Sequence, residues 1–221
     1  MCGRFTLAAA TEDVAAQFAL AEMPPLAPRY NIAPTQPVAV VRVAANGQRE
    51  LTYLHWGLIP SWAKDPGMGA RMINARAETV AEKPSFRAAF RYRRCLVPAS
   101  GFYEWRKLNG KKQPMYIMAR DGGVWGIAGI WERWIASDGS EVESCAILTT
   151  EPNELLRPIH NRMPLIIPPE QYTAWLDPHS QRPDMVQPLL QPYPAANMSA
   201  YPVSTLVNSP FNDSPDCIQI V

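Results

Sequence analysis

The chain has 221 residues, a formal net charge of +1 and 23 prolines. Hydrophobic residues make up 47% of it and charged residues 19%, which excludes the low-hydrophobicity, high-charge composition of disordered chains. No apolar stretch reaches the roughly 18 residues that a membrane helix needs, and the first residues, MCGRFTL, lack the apolar run of a secretory signal. We therefore expect a folded cytoplasmic protein that does not span a membrane.

The predicted secondary structure alternates strands with short helices. Thr11 is predicted to cap a first helix that carries Val14 and Phe18 on one side, and the prolines after residue 23 end it. Asn-Gly pairs at 46–47 and 109–110 predict the tight turns of two β-hairpins. The later elements, in chain order, are hairpin strands 38–43 and 51–56, a helix opened by Pro84, hairpin strands 102–107 and 114–119, strands 124–134 and 142–150, short helices near 152–156 and 169–175, and a last strand near 203–207.

The connections between these elements indicate the fold class. The predicted strands come in hairpins, whereas βαβ units need long helical crossovers between parallel strands. We therefore predict a single α+β domain over residues 1–221. Mainly antiparallel sheets are expected to form a barrel-like core with short flanking helices.

The four cysteines are scattered along the chain. They form no CxxC pair and have no nearby histidine that would complete a metal site, so neither a zinc site nor a disulfide framework is indicated. The simplest interpretation is four reduced thiols, at Cys2, Cys95, Cys145 and Cys217.

The net charge of +1 conceals a marked asymmetry. The segment from Arg71 to Lys112 contains eleven Lys or Arg and three Glu, a local charge of +8, so the rest of the chain carries −7. A basic region of this kind can attract an anionic polymer such as a nucleic acid. It can equally be a solvated basic helix and hairpin, and charge alone leaves both interpretations open.

Cys2 is the most informative position of the chain. A small second residue permits removal of Met1, which would leave a cysteine with its amine and thiol on adjacent carbons. An α-amine has a pKa of about 7.7–8.0, so near neutrality a useful fraction can attack an aldehyde to form a Schiff base. The thiol can then close on the imine carbon to form a thiazolidine ring. The alternative is an incidental cysteine at position 2.

Glu104 and His160 are candidates for proton transfer. The period of two along the strand GFYEW puts Glu104 on the face of Phe102, where burial would raise the pKa of its carboxyl and suit it to acid–base chemistry. The alternative is an edge-strand glutamate paired with Arg106 or Lys112. His160 lies in a predicted loop, RPIHNRMP, and a structural histidine is an equally good interpretation.

Three further polar or aromatic side chains could contact a nucleic acid. Asn74 offers an amide that both donates and accepts, although it could also be a helix N-cap. Arg76 offers a bidentate fork for a phosphate. Trp62 follows the Pro60-Ser61 pair and could stack on an unpaired base from an exposed loop, or it could pack in the core.

Together these segments strongly resemble the SOS response-associated peptidase (SRAP) family, in order and across nearly the whole chain. The matching motifs are MCGRF at the start, RYNIAPT (29–35), WGLIPSW (56–62), INARAET (73–79), GFYEW (101–105) and IHNRMP (159–164). Members of this family sense abasic sites in single-stranded DNA and crosslink to them through an N-terminal cysteine. The resemblance therefore implies the aldehyde on which a Cys2 aminothiol would act, the ring-opened sugar of an abasic site.

The resemblance also implies roles for individual residues. Cys2 would be the nucleophile, Asn74 would position its amine and the sugar, Glu104 would be the general acid and base, and His160 would assist ring opening and imine chemistry. The implied DNA contacts are Arg76 and Arg162 on phosphates, with Asn31, Pro34, Trp62 and Thr149 lining the groove.

Two positions depart from the family pattern. Ala63 stands where some relatives have a second aromatic residue after Trp62, which would weaken a stacking wedge against duplex DNA. Asn161 stands where the family's HDR variant has a carboxylate, which makes the proton role of His160 less defined.

The resemblance further implies a reversible crosslink and a function in the SOS response to DNA damage. It requires neither a metal nor an organic cofactor, and we expect a monomer that joins the nucleoid when bound to single-stranded DNA. Two alternatives remain open. Cys2, Glu104 and His160 could form a cysteine-type peptidase, whose only action could be the removal of Met1. Alternatively, the chain could be a passive single-strand binder.

Overall fold

The computed structural model describes residues 2–108 and 110–221. The predicted removal of Met1 and the Asn109 position of the second hairpin turn lie outside the described residues. The strands are β1 (Phe5–Leu7), β2 (Arg29–Ile32), β3 (Pro37–Val43), β4 (Arg49–Trp56), β5 (Asn74–Arg76), β6 (Arg94–Ala99), β7 (Gly101–Leu108), β8 (Lys111–Ala119), β9 (Trp125–Ile135), β10 (Glu141–Thr150), β11 (Met163–Pro164), β12 (Ile166–Ile167) and β13 (Met198–Pro202). The α-helices are α1 (Thr11–Phe18), α2 (Arg87–Tyr92), α3 (Tyr172–Leu176) and α4 (Pro183–Val186).

These strands form two sheets. The first has the strand order β13-β8-β7-β1-β2, and every pairing in it is antiparallel. The second has the order β11-β10-β4-β3-β6-β9-β12, with β5 added beside β10 and a further pairing between β10 and β9. Its only parallel pairings among the described residues join β10 to β4 and to β5. The predicted α+β class with mainly antiparallel sheets is confirmed.

The main hydrophobic core lies between the two sheets and their short helices. It buries side chains of both sheets, among them Phe5, Trp56 and Phe102. The alternation predicted for β7 is confirmed, because Phe102 joins this core whereas Tyr103 joins a second cluster on the other face of the sheet. Glu104 therefore faces the main core.

Both predicted hairpins form. Strands β3 and β4 pair from Val43 with Arg49 to Pro37 with His55, and Gly47 adopts the positive φ of 82° that their turn requires. Strands β7 and β8 pair from Leu108 with Lys111 to Gly101 with Met118. The predicted strands 124–134 and 142–150 correspond to β9 and β10.

Four details of the predicted elements are wrong. Thr11 is the first residue of α1 rather than its cap, and its hydroxyl accepts a hydrogen bond from the backbone N–H of Leu26. Helix α2 begins at Arg87 instead of Pro84. Residues 154–159 form turns and no helix. The last strand is β13, because residues 205–208 turn into a 3-10 helix.

Within the described residues, no helix is long and apolar enough to cross a membrane.

Candidate active site

Asn74 links the start of the chain to the second sheet. It begins β5, which lies parallel to β10 with Asn74 opposite Ile147, so the N-cap alternative is wrong. Its side-chain amide donates a hydrogen bond of 2.8 Å to the carbonyl oxygen of Cys2. The Oδ1 atom of Asn74 is buried and accepts no hydrogen bond from any described residue. This oxygen is a buried acceptor beside Cys2, suited to an N–H group that enters the site.

The thiol of Cys2 is fully buried. Burial raises the pKa of Cys2 to about 12, and the negative charge of Glu104 acts in the same direction. A thiol in this environment stays protonated near neutral pH, whereas thiolate chemistry needs a lowered pKa. The arrangement favours a first attack by a group other than the Cys2 sulfur.

Glu104 is a buried carboxylate in the middle of the first sheet. Strand β7 lies between β8 and β1, and the side chain of Glu104 is 3% exposed, so the alternative of an edge-strand glutamate is wrong. Burial raises the pKa of the Glu104 carboxyl, while the charge of His160 acts in the opposite direction. A carboxyl with a raised pKa both accepts and releases a proton closer to neutral pH than an exposed one.

His160 lies next to Glu104, after the turns that follow β10. Its Nδ1 atom is 3.8 Å from Oε1 of Glu104. The same Nδ1 atom is 3.1 Å from both the backbone nitrogen and the carbonyl oxygen of Arg162. The neutral ring can accept from that N–H, and the protonated ring can donate to that carbonyl. Either protonation state of His160 thus finds a hydrogen-bond partner.

Arg162 is held by Glu78 from the INARAET segment. Its Nη1 and Nη2 atoms donate to Oε1 and Oε2 of Glu78 at 2.7 and 2.9 Å, a bidentate ion pair. Nη2 also donates to the backbone carbonyl of Thr149 at 2.5 Å. The Arg162 guanidinium lowers the pKa of Glu78. Two of the predicted DNA contacts, Arg162 and Thr149, therefore lie together, and Glu78 occupies the fork of Arg162.

Arg76 lies across from Thr149 at the exposed end of β5. The period of two along this strand puts Arg76 on the same face as Asn74, while Ala75 between them is buried. Thr149 itself is 1% exposed, and its hydroxyl lies 3.4 Å from the carbonyl oxygen of Ala75. The structure thus brings Arg76, Thr149 and Asn74 onto one edge beside Cys2.

Asn31 is fully buried and holds the C-terminal segment of the chain. Its side-chain nitrogen donates to three backbone carbonyl oxygens, and its side-chain oxygen accepts from the guanidinium of Arg4 at 2.7 Å. The three carbonyls belong to Val207, Ser209 and Asn212. This amide is engaged inside the protein, so its contact with DNA stays a prediction. Pro34 is half-buried in the turn between β2 and β3.

Trp62 is 57% exposed on the loop after β4. Ala63 beside it is buried with Ile59 and Trp134, and the indole N–H of Trp134 donates to the Ala63 carbonyl at 2.7 Å. The neighbouring residue is thus fixed in the protein while Trp62 faces solvent. The core-packing alternative for Trp62 is wrong.

Sequence reasoning missed Arg4 and Glu78 as parts of this site. Both stand inside segments that carry the family resemblance, MCGRF and INARAET. Their partners lie far away in the sequence, since Glu78 contacts Arg162 and Arg4 contacts the carbonyl of Val207. The motifs could have marked both residues as candidates, but only the fold reveals the pairs.

A family model described as SOS response associated peptidase (SRAP) matches residues 1–210. The chain belongs to the SRAP family. It is 46% identical to a protein named abasic site processing protein YoqW from Bacillus subtilis, over 99% of each chain. It is 32% identical to the mouse abasic site processing protein HMCES, over 86% of this chain and 64% of that one.

Solved structures share the SRAP fold. A crystal structure of a protein from Bacteroides thetaiotaomicron is 29% identical, with a TM-score of 0.86 over the full length of both chains. A protein from Bordetella bronchiseptica is also 29% identical, with a TM-score of 0.78 over 92% of this chain and all of that one.

Proposed function

We propose that this protein processes abasic sites in single-stranded DNA by a reversible covalent crosslink through Cys2. The observation that carries this proposal is the buried cluster in which Asn74 holds the Cys2 carbonyl while Glu104 lies beside Cys2 and His160. The names of the SRAP relatives support abasic sites as the substrate class. The protein acts as a monomer in the cytoplasm, on DNA of the nucleoid, as part of the response to DNA damage.

The reaction needs no reagent beyond the protein and the lesion. After Met1 is removed, the α-amine of Cys2 attacks the C1′ aldehyde of the open-chain sugar and forms a carbinolamine. Loss of one water gives the imine. The Cys2 sulfur then bonds to C1′, and its proton goes to the nitrogen, which closes the thiazolidine ring. Neither oxidation nor reduction occurs, so the steps can run backwards.

Glu104 and His160 supply the proton transfers. The Glu104 carboxylate accepts a proton from the incoming amine, and its raised pKa keeps more of the carboxyl protonated near neutral pH, so that it can donate to the departing hydroxyl. His160 exchanges protons with Glu104 and with the sugar oxygen, because either of its protonation states is stabilised by the backbone of Arg162. The buried Oδ1 of Asn74 accepts from the reacting nitrogen.

Arg76 and Arg162 hold the DNA backbone near Cys2. Single-strand binders combine a cationic groove with exposed aromatic side chains that stack on bases. Arg76 supplies an exposed cation beside Asn74, and Trp62 supplies an exposed ring. The crosslink shields the lesion from strand cleavage.

The buried thiol argues against the cysteine-peptidase alternative as the main activity. Such an enzyme attacks with a thiolate, and the pKa of Cys2 is raised to about 12 rather than lowered. A passive single-strand binder would need no Cys2 chemistry at all. The amine-first reaction is consistent with a neutral thiol, because the sulfur acts only after the imine has formed.

Denaturing gel electrophoresis with an abasic single-stranded oligonucleotide tests the proposal. Wild type should give a covalent shift, and Cys217→Ser should keep it because Cys217 is buried in a separate cluster. Cys2→Ala keeps the amine, so it should give a shift only when borohydride traps the imine. One extra residue before Cys2 should abolish both the covalent shift of wild type and the imine that borohydride traps.

Several outcomes would contradict this chemistry. Wild type that gives no shift on abasic DNA, or an equal shift on an oligonucleotide whose abasic aldehyde has been reduced, rules out the aldehyde reaction. Full activity with an extra residue before Cys2 favours a thiol that attacks without a free amine. Equal binding of Cys2→Ala and wild type, without a covalent product, leaves a passive binder.

A further inference from the structure

A cavity opens beside the Cys2 site. Its volume is about 380 Å³, and three of its lining residues, Asn74, Arg76 and Thr149, also belong to the site described above. The other residues that matter here are Thr79, Lys83, Ser85 and Phe86. The cavity thus carries two cations, three hydroxyl groups and one aromatic ring, and none of the described residues that line it is a carboxylate.

The charges of the loop between β5 and α2 are segregated. Arg76 and Lys83 line this cavity, whereas the acidic residues Glu78 and Glu82 line a separate cavity of about 400 Å³ together with Gln187. Alternating charges along a loop would cancel at either surface. Glu78 interacts with Arg76 but is bound by Arg162, so the two cations on the cavity lining that adjoins Asn74 favour an anionic ligand.

Backbone hydrogen bonds fix the wall of this cavity. The backbone N–H groups of Glu82 and Lys83 both donate to the carbonyl of Thr79, and those of Phe86 and Arg87 donate to the carbonyl of Lys83. These successive turns hold the ring of Phe86 against the main core, half-buried, while Lys83 stays exposed. A cavity with a fixed wall loses little freedom when it binds a ligand.

We propose that this cavity is a nucleotide subsite for a nucleotide adjacent to the reactive sugar. Lys83 and Arg76 contact the phosphodiester, the hydroxyls of Thr79 and Ser85 donate to phosphate or sugar oxygens, and the base lies against Phe86. The subsite rests on the proposed function in assigning single-stranded DNA as the ligand and in placing the abasic sugar beside Cys2. Recognition through phosphate and an aromatic face is independent of base identity.

Fluorescence anisotropy with a short oligonucleotide that contains a tetrahydrofuran abasic analogue tests the phosphate contact. This analogue has no aldehyde, so binding stays non-covalent. Lys83→Ala should weaken the affinity about tenfold and reduce the salt slope by about 0.7. Lys83→Arg should keep the affinity and the salt slope of wild type. Lys107→Ala removes the same charge from the end of β7 in the same basic segment and should change the affinity less than about twofold.

The base contact is tested with oligonucleotides that also lack the base on one side of the analogue. Wild type should bind one of these two oligonucleotides at least about fivefold more weakly than the parent oligonucleotide, which keeps both bases. Phe86→Leu keeps an apolar side chain against the core, and it should bind that oligonucleotide and the parent oligonucleotide equally. Retention of the wild-type difference in Phe86→Leu would place the base elsewhere.

The outcomes separate the subsite from the proposed function. Equal effects of Lys83→Ala and Lys107→Ala, in a wild type that crosslinks abasic DNA, overturn the subsite and leave the crosslink. A specific effect of Lys83→Ala in a wild type that binds but never crosslinks upholds the subsite and overturns the crosslink. A wild type that binds no single-stranded DNA overturns both.

Discussion

Glu104 connects burial to reactivity at the scale of a single residue. Its carboxyl has a raised pKa because it is buried on β7, and it must be ionised to accept a proton from the Cys2 amine. The amine itself must be neutral, with a pKa of about 7.7–8.0. Both the amine and the Glu104 carboxyl must therefore be deprotonated, and the pKa of Glu104 lies above the ordinary range of a carboxyl.

The first prediction concerns the pH dependence of crosslink formation. In wild type the logarithm of the rate should fall with a slope of about one below the pKa of the amine, and it should steepen towards two below the pKa of Glu104. Glu104→Gln should lower the rate about 10²-fold or more and keep a single slope of about one. Rapid-quench crosslinking at a series of pH values measures both. A second slope that persists in Glu104→Gln would assign it to another group.

The same carboxyl affects the free energy of unfolding. Because its pKa is raised in the folded state, the folded protein binds more protons than the unfolded one between the unfolded and folded pKa values. The contribution of Glu104 to stability is therefore present at low pH and is lost as pH rises through the folded pKa. Glu104→Gln should become more stable relative to wild type as pH rises through this window, measured by urea unfolding. A stability difference that decreases with pH would contradict the raised pKa.

Glu78 controls how far Arg162 is available to a phosphate. Its carboxylate accepts hydrogen bonds from both Nη atoms of Arg162, yet 47% of the Glu78 side chain is exposed. Glu78→Gln should tighten binding of single-stranded DNA about threefold to tenfold, because a competing carboxylate is removed while the Thr149 carbonyl still holds Arg162.

The matched control for this prediction is Glu82→Gln. Glu82 is exposed four residues further along the same loop, and its removal changes the net charge equally. Binding titrations at one salt concentration compare the two variants with wild type. Weaker binding by Glu78→Gln than by wild type would mean that Glu78 aligns Arg162 for the phosphate instead of competing with it.

At the scale of elements, the C-terminal segment is fastened to β2 by buried polar groups. Asp213 accepts hydrogen bonds from the backbone N–H groups of Tyr30 and Asn31 and forms an ion pair with Arg29. The Asn31 amide holds the carbonyls of the 3-10 helix and turn at 207–212. Backbone groups of an irregular segment thus obtain partners that a sheet would otherwise supply.

Asn31→Ala should destabilise the protein by roughly 2–4 kcal/mol, because it removes these donors and leaves the half-buried Arg4 without its Oδ1 acceptor. Urea unfolding measures the loss, and hydrogen exchange should increase first at residues 205–213. Asn197→Ala, at an exposed position, should stay within about 0.5 kcal/mol of wild type. Unchanged stability of Asn31→Ala with a loss of DNA binding would instead support the implied DNA contact.

The elements that the sequence predicted are those with local signals. The Asn-Gly turn at 46–47 and the long apolar runs of β9 and β10 are recognisable from a few consecutive residues of the sequence. Strands β1 and β5 have only three residues each, and they form because distant strands pair with them. A strand of three residues is too short to show an alternating pattern in the sequence, so neither β1 nor β5 was predicted.

The site shows the same division. Family motifs named Cys2, Asn74, Glu104 and His160, and the fold brings all four together. The burial that raises the pKa of Glu104 could be expected only if β7 was central, and the sequence left its position in the sheet open. The use of the Asn31 amide on the C-terminal segment, some 180 positions away, had no local signal.

At the scale of the whole molecule, the basic segment is less available than its charge of +8 implies. Arg94 is buried and donates only to backbone carbonyls of the described residues, those of Phe90, Arg91, Trp175, Asp177 and Ser180. Arg93 forms an ion pair with the buried Glu132. Nine of the eleven cations of this segment therefore remain, and they are spread over a 3-10 helix, a strand, a loop, an α-helix and a hairpin.

The salt dependence of binding shows how many cations of the protein contact phosphates. Contacts from Arg76, Lys83 and Arg162 alone give a slope of log K against log salt concentration of about −2, whereas nine contacts would give about −6. We expect about −2 for single-stranded DNA, measured by anisotropy between low and physiological salt. Arg76→Gln should reduce it by about 0.7 on abasic and intact strands alike. A slope near −6 would mean that the whole basic segment binds diffusely, with no defined groove at the Cys2 site.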